Sequence, residues 1–351
     1  MIKLKTYKVV LFLSCVFLVS TICFQSIVVV NANAIIPQIV PTEKGYIKSN
    51  GEICPSTLPI QRSGNTFFLT GNILNYSLEI QKNDIVFDGR GFTMSLPSSV
   101  SVSYWKPEFT AAPLIQITNA SNIIITNVTA CHFFVAISFV NCSNIQVMSC
   151  NLAGGLQAIT AYRNIDCLII GNQLNDNFDT ALTMRDSVNL LLAYNNFSNN
   201  YCNGGRFYSL NNSQVLFNNF QNSSGAAVDL LSHNCNNRFF NNNFIDNQVG
   251  LMYSGDPELA WSENNTVINN FWSNLWKDIV NNSADAASGI DQAPLSQKND
   301  VAFEPSKYLI PENNNAGFFD QFNSFLIIAV SLCVIIGLFS VFFILKKFCK
   351  N

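Results

Sequence analysis

The chain has 351 residues, with 19 Lys+Arg against 22 Asp+Glu and a formal net charge of −3. Charged residues make up only 12%, about half the share of an ordinary soluble domain, which argues against a nucleic-acid partner because phosphate binding needs a dense cationic surface. The 48% hydrophobic content excludes a simply disordered chain, and a pool of two His and five Met argues against a metal site rich in imidazole or thioether.

The N-terminus opens with Lys3, Lys5 and Lys8, then an apolar run over 9–30, then Asn31-Ala32-Asn33-Ala34. A basic start, an apolar core and a small-residue exit describe a secretory signal over 1–34, cut after Ala34, or an uncleaved anchor. Residues 35–76 form a lead-in and cap.

A repeat follows, and it organises everything up to about residue 283. The position of Asn172 recurs at Asn195, Asn218 and Asn242, at spacings of 23, 23 and 24 residues. It continues to Asn269, and backwards to Cys150 and Val128. Ile125, Val147, Ile169, Leu192, Val215 and Phe239 stand three residues before it. Leu152, Leu174, Phe197, Phe220, Phe244 and Phe271 stand two after. An earlier copy aligns Ile85, Phe87, Arg90 and Phe92. Upstream in each unit Ile115 and Ile117 correspond to Ile137 and Phe139, Ile159 and Ala161, and Leu182 and Met184. Within each piece apolar and polar residues alternate, which is the strand period. Short strands joined by Asn, Ser and Gly turns at this period predict an all-β parallel β-helix of about eight coils over 77–283. One coil cannot bury its own apolar stripe, so the coils stack about 4.8 Å apart. Inward Asn at the bends then bonds its equivalents above and below, which accounts for 48 Asn in the chain.

Two excursions interrupt the repeat. Residues 95–113 carry Tyr104 and Trp105, and residues 251–263 carry Tyr253, Asp256, Glu258 and Trp261. Residues 284–324 are polar and Pro-containing, a cap and stalk. Residues 325–345 are apolar throughout, about 31 Å as a helix, which matches a bilayer core. Lys346, Lys347 and Lys350 follow, placing 346–351 in the cytoplasm and the bulk of the chain outside. Of seven Cys between the two ends, buried thiols are the simpler reading for most, although disulfides can form outside the cell.

Three segments resemble a known group. These are SLEIQKNDIVFDGRGFTM at 77–94, the S-N-I-x-V/I pattern at 121–125 and 143–147, and Asn270-Phe271-Trp272-Ser273-Asn274-Leu275. They resemble the right-handed parallel β-helix proteins of the pectate-lyase-like superfamily, and among them surface proteins with the β-helix (PbH1-repeat) domain of the copper-associated NosD family. The resemblance implies a right-handed, single-stranded helix of coils. It is weak for activity, because one fold hosts lyases, hydrolases, adhesins and structural proteins.

The chemistry-bearing residues are few. Arg163 and Asp186 occupy equivalent outward positions in adjacent coils, as do Arg206 and Asp229 near Thr160 and Thr183. A polyuronate lyase needs a base to remove a proton alpha to a carboxylate, and Ca²⁺ held by carboxylates. Here the signs alternate, so mutual neutralisation is the expectation. The N-T-D, D-D, G-H-G and R-I-K segments of pectin hydrolases do not occur. Asp176 and Asp179 fall in a turn. A copper role would call on His132 beside Cys131, or His233 near Cys235. Tyr104, Trp105 and Trp261, on the excursions, are the candidate ligand-binding residues, since flat aromatics stack on sugars. Sequons at Asn119, Asn141 and Asn211 fall at turns and are the glycosylation candidates. The expectation is a membrane-anchored, extracytoplasmic structural or carbohydrate-binding protein. The alternatives are a polysaccharide lyase or hydrolase, with Ca²⁺ if a lyase, and copper handling.

Overall fold

The computed structural model of the chain describes residues 43–97, 112–254 and 264–281. They form an all-β parallel solenoid of about eight turns. Each turn has three sides. One coil runs Ile115–Thr118, Ser121–Thr126, Thr129–Cys131, and the next runs Val135–Val140, Ser143–Met148, Asn151–Ala153. Stacking makes an 11-stranded sheet from the first segments (face A) and a 10-stranded sheet from the second (face B). The third segments make two four-stranded sheets (face C), bridged through Gln173 to Asn151 on one side and Asn196 on the other. The expected parallel β-helix is therefore what the chain forms.

The interior is a set of side-chain columns. On face B, Phe87, Ile125, Val147, Ile169, Leu192, Val215, Phe239 and Val267 are paired in register and buried. Face A supplies Ile115, Ile137, Ile159 and Leu182. On face C the rings of Phe197, Phe220, Phe244 and Trp272 stack at successive centroid distances of 4.6, 5.3 and 4.4 Å. A parallel ladder repeats every side chain at the strand spacing, so identical aromatics stack face to face without adjustment.

Asn serves the corners in two ways. At the B–C corner, inward Asn172, Asn195, Asn218 and Asn242 each donate from Nδ2 to the Oδ1 of the next coil's Asn, at 2.9–3.0 Å. Each such Oδ1 also accepts a backbone N–H of the coil below. A second inward ladder at the C–A corner joins Asn177 to Asn200 and Asn247 to Asn274. The bends themselves are single residues in the left-handed region, including Asn119, Asn141, Asn189, Asn212 and Asn241. Asn tolerates that conformation better than most side-chain-bearing residues.

The structure corrects the register at both ends of the repeat. Asn270, not Asn269, takes the ladder position, and Trp272, not Phe271, joins the Phe stack. The connection 255–263 makes this coil longer, and alignment by a constant offset slips by one. In the first coil Thr93 pairs Thr129, so Phe92 and not Arg90 corresponds to Val128. The loop Asp88-Gly89-Arg90-Gly91 adds two residues, and Arg90 projects over the Phe68 ring at 3.5 Å. Tyr253 does not sit on an excursion. It lies in the strand Val249–Ser254, paired with Leu230 in an inward column and 1% exposed. The ladder on face A continues through Lys277–Asn281, the last described strand. The N-terminal segment 1–34, the stalk 284–324 and the apolar stretch 325–345 lie outside the described residues. Among the described residues no helix is long and apolar enough to cross a membrane.

Candidate functional site: a groove on face A

Outward positions on face A form two columns, two residues apart. The first runs Ser138, Thr160, Thr183, Arg206, Asp229. The second runs Val140, Tyr162, Arg185, Tyr208. Beside them the C–A corner turns of successive coils raise a wall from Leu156, Gln157, Phe178, Asp179, Tyr201 and Cys202. Floor and wall enclose an open groove of about 900 Å³.

Two guanidinium groups reach into it. Arg206 pairs with Asp229 at 3.7 Å, and the Arg185 guanidinium lies 4.1 Å over the Tyr208 ring. Stacking on a ring leaves the donor edge of a guanidinium open. Between Thr160 and Arg206 in the floor, Thr183 Oγ1 is buried with no hydrogen-bond partner, a polar atom unspent in the fold. The wall presents flat apolar surface: Phe178 is 44% and Tyr201 70% exposed. Asp179 Oδ2 accepts from Gln157 Nε2 at 2.6 Å. Burial first, and then Asp179, pushes the neighbouring Cys202 thiol up. The Asp229 carboxyl, 4% exposed, is pushed up by burial, which outweighs its Ser254 hydrogen bond and Arg206.

The four-residue charge strip is thus only partly a set of pairs. Arg206 and Asp229 stand in adjacent rungs and neutralise each other as expected. Arg163 and Asp186 occupy equivalent corner positions but do not form an ion pair among the described residues. Arg163 instead lies over the Tyr162 ring at 4.6 Å, because both residues bend the chain and splay outward. Asp179 belongs to a turn, and that turn is the groove wall. Arg185, Phe178 and Tyr201 escaped the reading by residue type. Their signal was positional: Tyr162, Arg185 and Tyr208 are one column at spacing 23, as are Phe178 and Tyr201.

The remaining candidates are dispersed. Tyr104, Trp105 and Trp261 lie outside the described residues. His132 sits in a left-handed corner between faces C and A, beside the exposed thiol of Cys131. His233 is at the A–B corner between four and five coils on, roughly 21 Å along the axis. Asn119 and Asn141 are exposed and joined by Asn141 Nδ2 to Asn119 Oδ1 at 3.2 Å. Asn211 is half-buried, its Nδ2 donating to Ser209 O and its Oδ1 accepting from Cys235 N.

Comparison with known proteins adds the family. The model of the family described as periplasmic copper-binding protein (NosD) matches residues 70–278. The chain belongs to the NosD family. No curated protein matches it. Among solved structures, NosD-type coils here are similar to a periplasmic alginate epimerase AlgG, at TM-score 0.42 and 9% identity over 67% of this chain and 78% of that one. A DFA-IIIase mutant from Arthrobacter chlorophenolicus A6 with DFA-III gives 0.41 and 11%, over 62% of each chain. ORF18 of Geobacillus virus E2 gives 0.40 and 12%, over 65% of this chain and 50% of that one. Likenesses of this size carry no argument about activity. The family description names copper, and the donors can be tested. Among the described residues no three His, Cys, Asp or Glu side chains stand together as a metal site. Cys150 and Cys167 are buried with thiols pushed up to about 12, which disfavours the thiolate a metal requires. The described residues do not fit a copper centre.

Proposed function

We propose that this NosD-family protein is an extracytoplasmic carbohydrate-binding protein, a right-handed β-helix held at the membrane by residues 325–345, and that its face A groove takes an acidic polysaccharide without turning it over. One observation carries the reading. Arg185 and the exposed Tyr201 and Phe178 rings converge on one open groove. Sugars present hydroxyl edges and flat C–H faces, and uronates add carboxylates. Guanidinium forks match carboxylates, and rings match the apolar faces. Tyr104, Trp105 and Trp261 would add stacking surface from the excursions, and the extracytoplasmic setting admits glycan on Asn119 and Asn141.

The test is a glycan array on the full-length protein, with Arg185→Ala and Tyr201→Ala. Each is expected to weaken binding to acidic oligosaccharides about tenfold, the equivalent of about 1.4 kcal/mol. Failure to bind any acidic glycan, or binding unchanged in both variants, would remove the proposal.

A second reading as a polysaccharide lyase is favoured by one specific arrangement. Asp229 is a buried carboxyl pushed upward and set against Arg206, and such pairs occur at proton-transfer sites. Release of an unsaturated product from an acidic polysaccharide, lost in both Arg206→Ala and Asp229→Asn, would establish it over the binding role.

A further inference from the structure

Past Arg185 the face A groove gives onto a second recess of different charge. Across one coil the outward order is Thr183, Arg185, and then Asp186 at the corner that leads to face B. The recess holds about 400 Å³ and is lined by Tyr162, Arg185, Asp186, Tyr208, Ser209 and Ser232. Tyr162 and Arg185 line the main groove as well, so the two recesses share an edge. From Thr183 to Asp186 the strand advances about 10 Å, a span that takes neighbouring sugars of one chain.

The corner bend keeps the two charges apart. Asp186 is left-handed, with φ 50°, and its backbone N–H donates to Tyr208 O at 2.8 Å. A left-handed residue breaks the alternation of the strand before it, so the carboxylate leaves the column in which Arg185 stands. Arg185 is drawn instead over the Tyr208 ring of the next coil, 4.1 Å from its centroid. Among the described residues no ion pair joins Asp186 to Arg185 or to Arg163. Arg185 and Asp186 are both exposed, and Tyr162, Tyr208, Ser209 and Ser232 are half-buried. A cation thus stands at the boundary, and beyond it a carboxylate beside serines and tyrosines.

We propose, resting on the reading of face A as a polysaccharide groove, that its ligand is a chain in which acidic and neutral sugars alternate. The acidic unit is seated at Arg185, and the neutral unit at Asp186, Ser209 and Ser232. A homopolyuronate carries a carboxylate on every ring. The ring next to the one paired with Arg185 then brings its own carboxylate against Asp186. Two carboxylates sharing a partly desolvated recess repel each other, and an unmatched charge of this kind selects against a ligand while Arg185 selects for it. A neutral ring brings hydroxyl donors instead. A carboxylate accepts several such bonds, and a serine hydroxyl donates or accepts as the ring requires. Tyr162 and Tyr208 supply flat surface for the C–H face of the same ring.

The test is calorimetric titration of the full-length protein with two oligosaccharide series of equal length, in a chelator that removes bridging Ca²⁺. One series is oligogalacturonate, acidic at every ring. The other is the hyaluronan repeat of glucuronate and N-acetylglucosamine. The wild type is expected to bind the alternating series about tenfold tighter. Asp186→Asn removes the repelling charge, and Asn already holds this corner column at Asn119 and Asn141, so the fold tolerates it. In that variant oligogalacturonate is expected to come within about threefold of the alternating series. Arg185→Ala is expected to weaken both series. Oligogalacturonate bound by the wild type as tightly as the alternating series, or a preference that Asp186→Asn leaves unchanged, would overturn the proposal and leave the groove a polysaccharide site. Binding of neither series would remove both.

Discussion

Asn218 illustrates how much depends on single side chains in this molecule. Its Nδ2 donates to Leu192 O, Leu216 O and Asn242 Oδ1, and its Oδ1 accepts from Asn195 N and Nδ2. Asn218→Ala leaves several buried groups unsatisfied at once. The expected cost is about 3 kcal/mol, seen as a melting temperature lower by roughly 6–12 °C. Asn222→Ala, at an exposed corner, removes a bond to Asn199 Oδ1 that water can replace, and the melting temperature should barely move. Gly89 is a different single-residue constraint. A Cβ there would lie 2.5 Å from Asn127 O and 2.6 Å from Val128 Cα, so Gly89→Ala must push the first coil off the second and lower stability. Asp229 supplies a pH signature. Its folded pKa is raised by burial, so its proton favours the folded state at low pH. That contribution is complete below the unfolded value and is lost as pH rises through the raised one. Stability measured against Asp229→Asn should therefore fall in the wild type, relative to the variant, as pH climbs from the acid range toward neutrality. A flat difference in denaturant titrations across that range would refute the assignment. Much of this scale was legible from residue order, because an Asn that recurs in register with Ile, Val and Phe is what stacked bends require. Arg185 was missed by residue type, and only its place in the column of Tyr162 and Tyr208 at spacing 23 marks it.

Among the elements, the aromatic column of face C and the floor of face A behave differently under substitution. Phe220 is packed between Phe197 and Phe244. Phe220→Ala opens a void in the middle of a stack and is expected to cost about 3–5 kcal/mol. Thr183 Oγ1 is buried in the groove floor and spends no hydrogen bond in the fold, so Thr183→Val should leave thermal stability unchanged or raise it. A lowered melting temperature in that variant would argue that the hydroxyl is structural. The strands themselves were readable from alternation, and their register from the repeat. The slips came where a loop changed coil length, at Asp88-Gly89-Arg90-Gly91 and at 255–263. Constant-offset counting has no access to where an insertion is absorbed. Pairing does, because a one-residue slip would turn every inward side chain outward.

The whole rod follows from one-dimensional stacking, in which each coil touches only its neighbours. Excising residues 120–141 joins Asn119 to Cys142, which occupies the equivalent position of Ala120 one rung on. That variant is expected to keep its β circular dichroism and cooperative unfolding with one rung fewer. Excising 120–140 leaves one extra residue at the corner before Cys142, which interrupts the bend hydrogen bonds there, and should lower the melting temperature below that of the 120–141 deletion. Equal behaviour of the two deletions would mean that the bend bonds at this corner do not hold the rod together. The sequence alone determined the solenoid, its interior columns and its Asn ladders, because those depend on a period, and a period is written along the chain. Which outward residues meet in a groove and which charges pair were decided only by the stacked coils. Those depend on neighbours 20 or more residues away and on the direction each corner turns a side chain, which the order of residues leaves open.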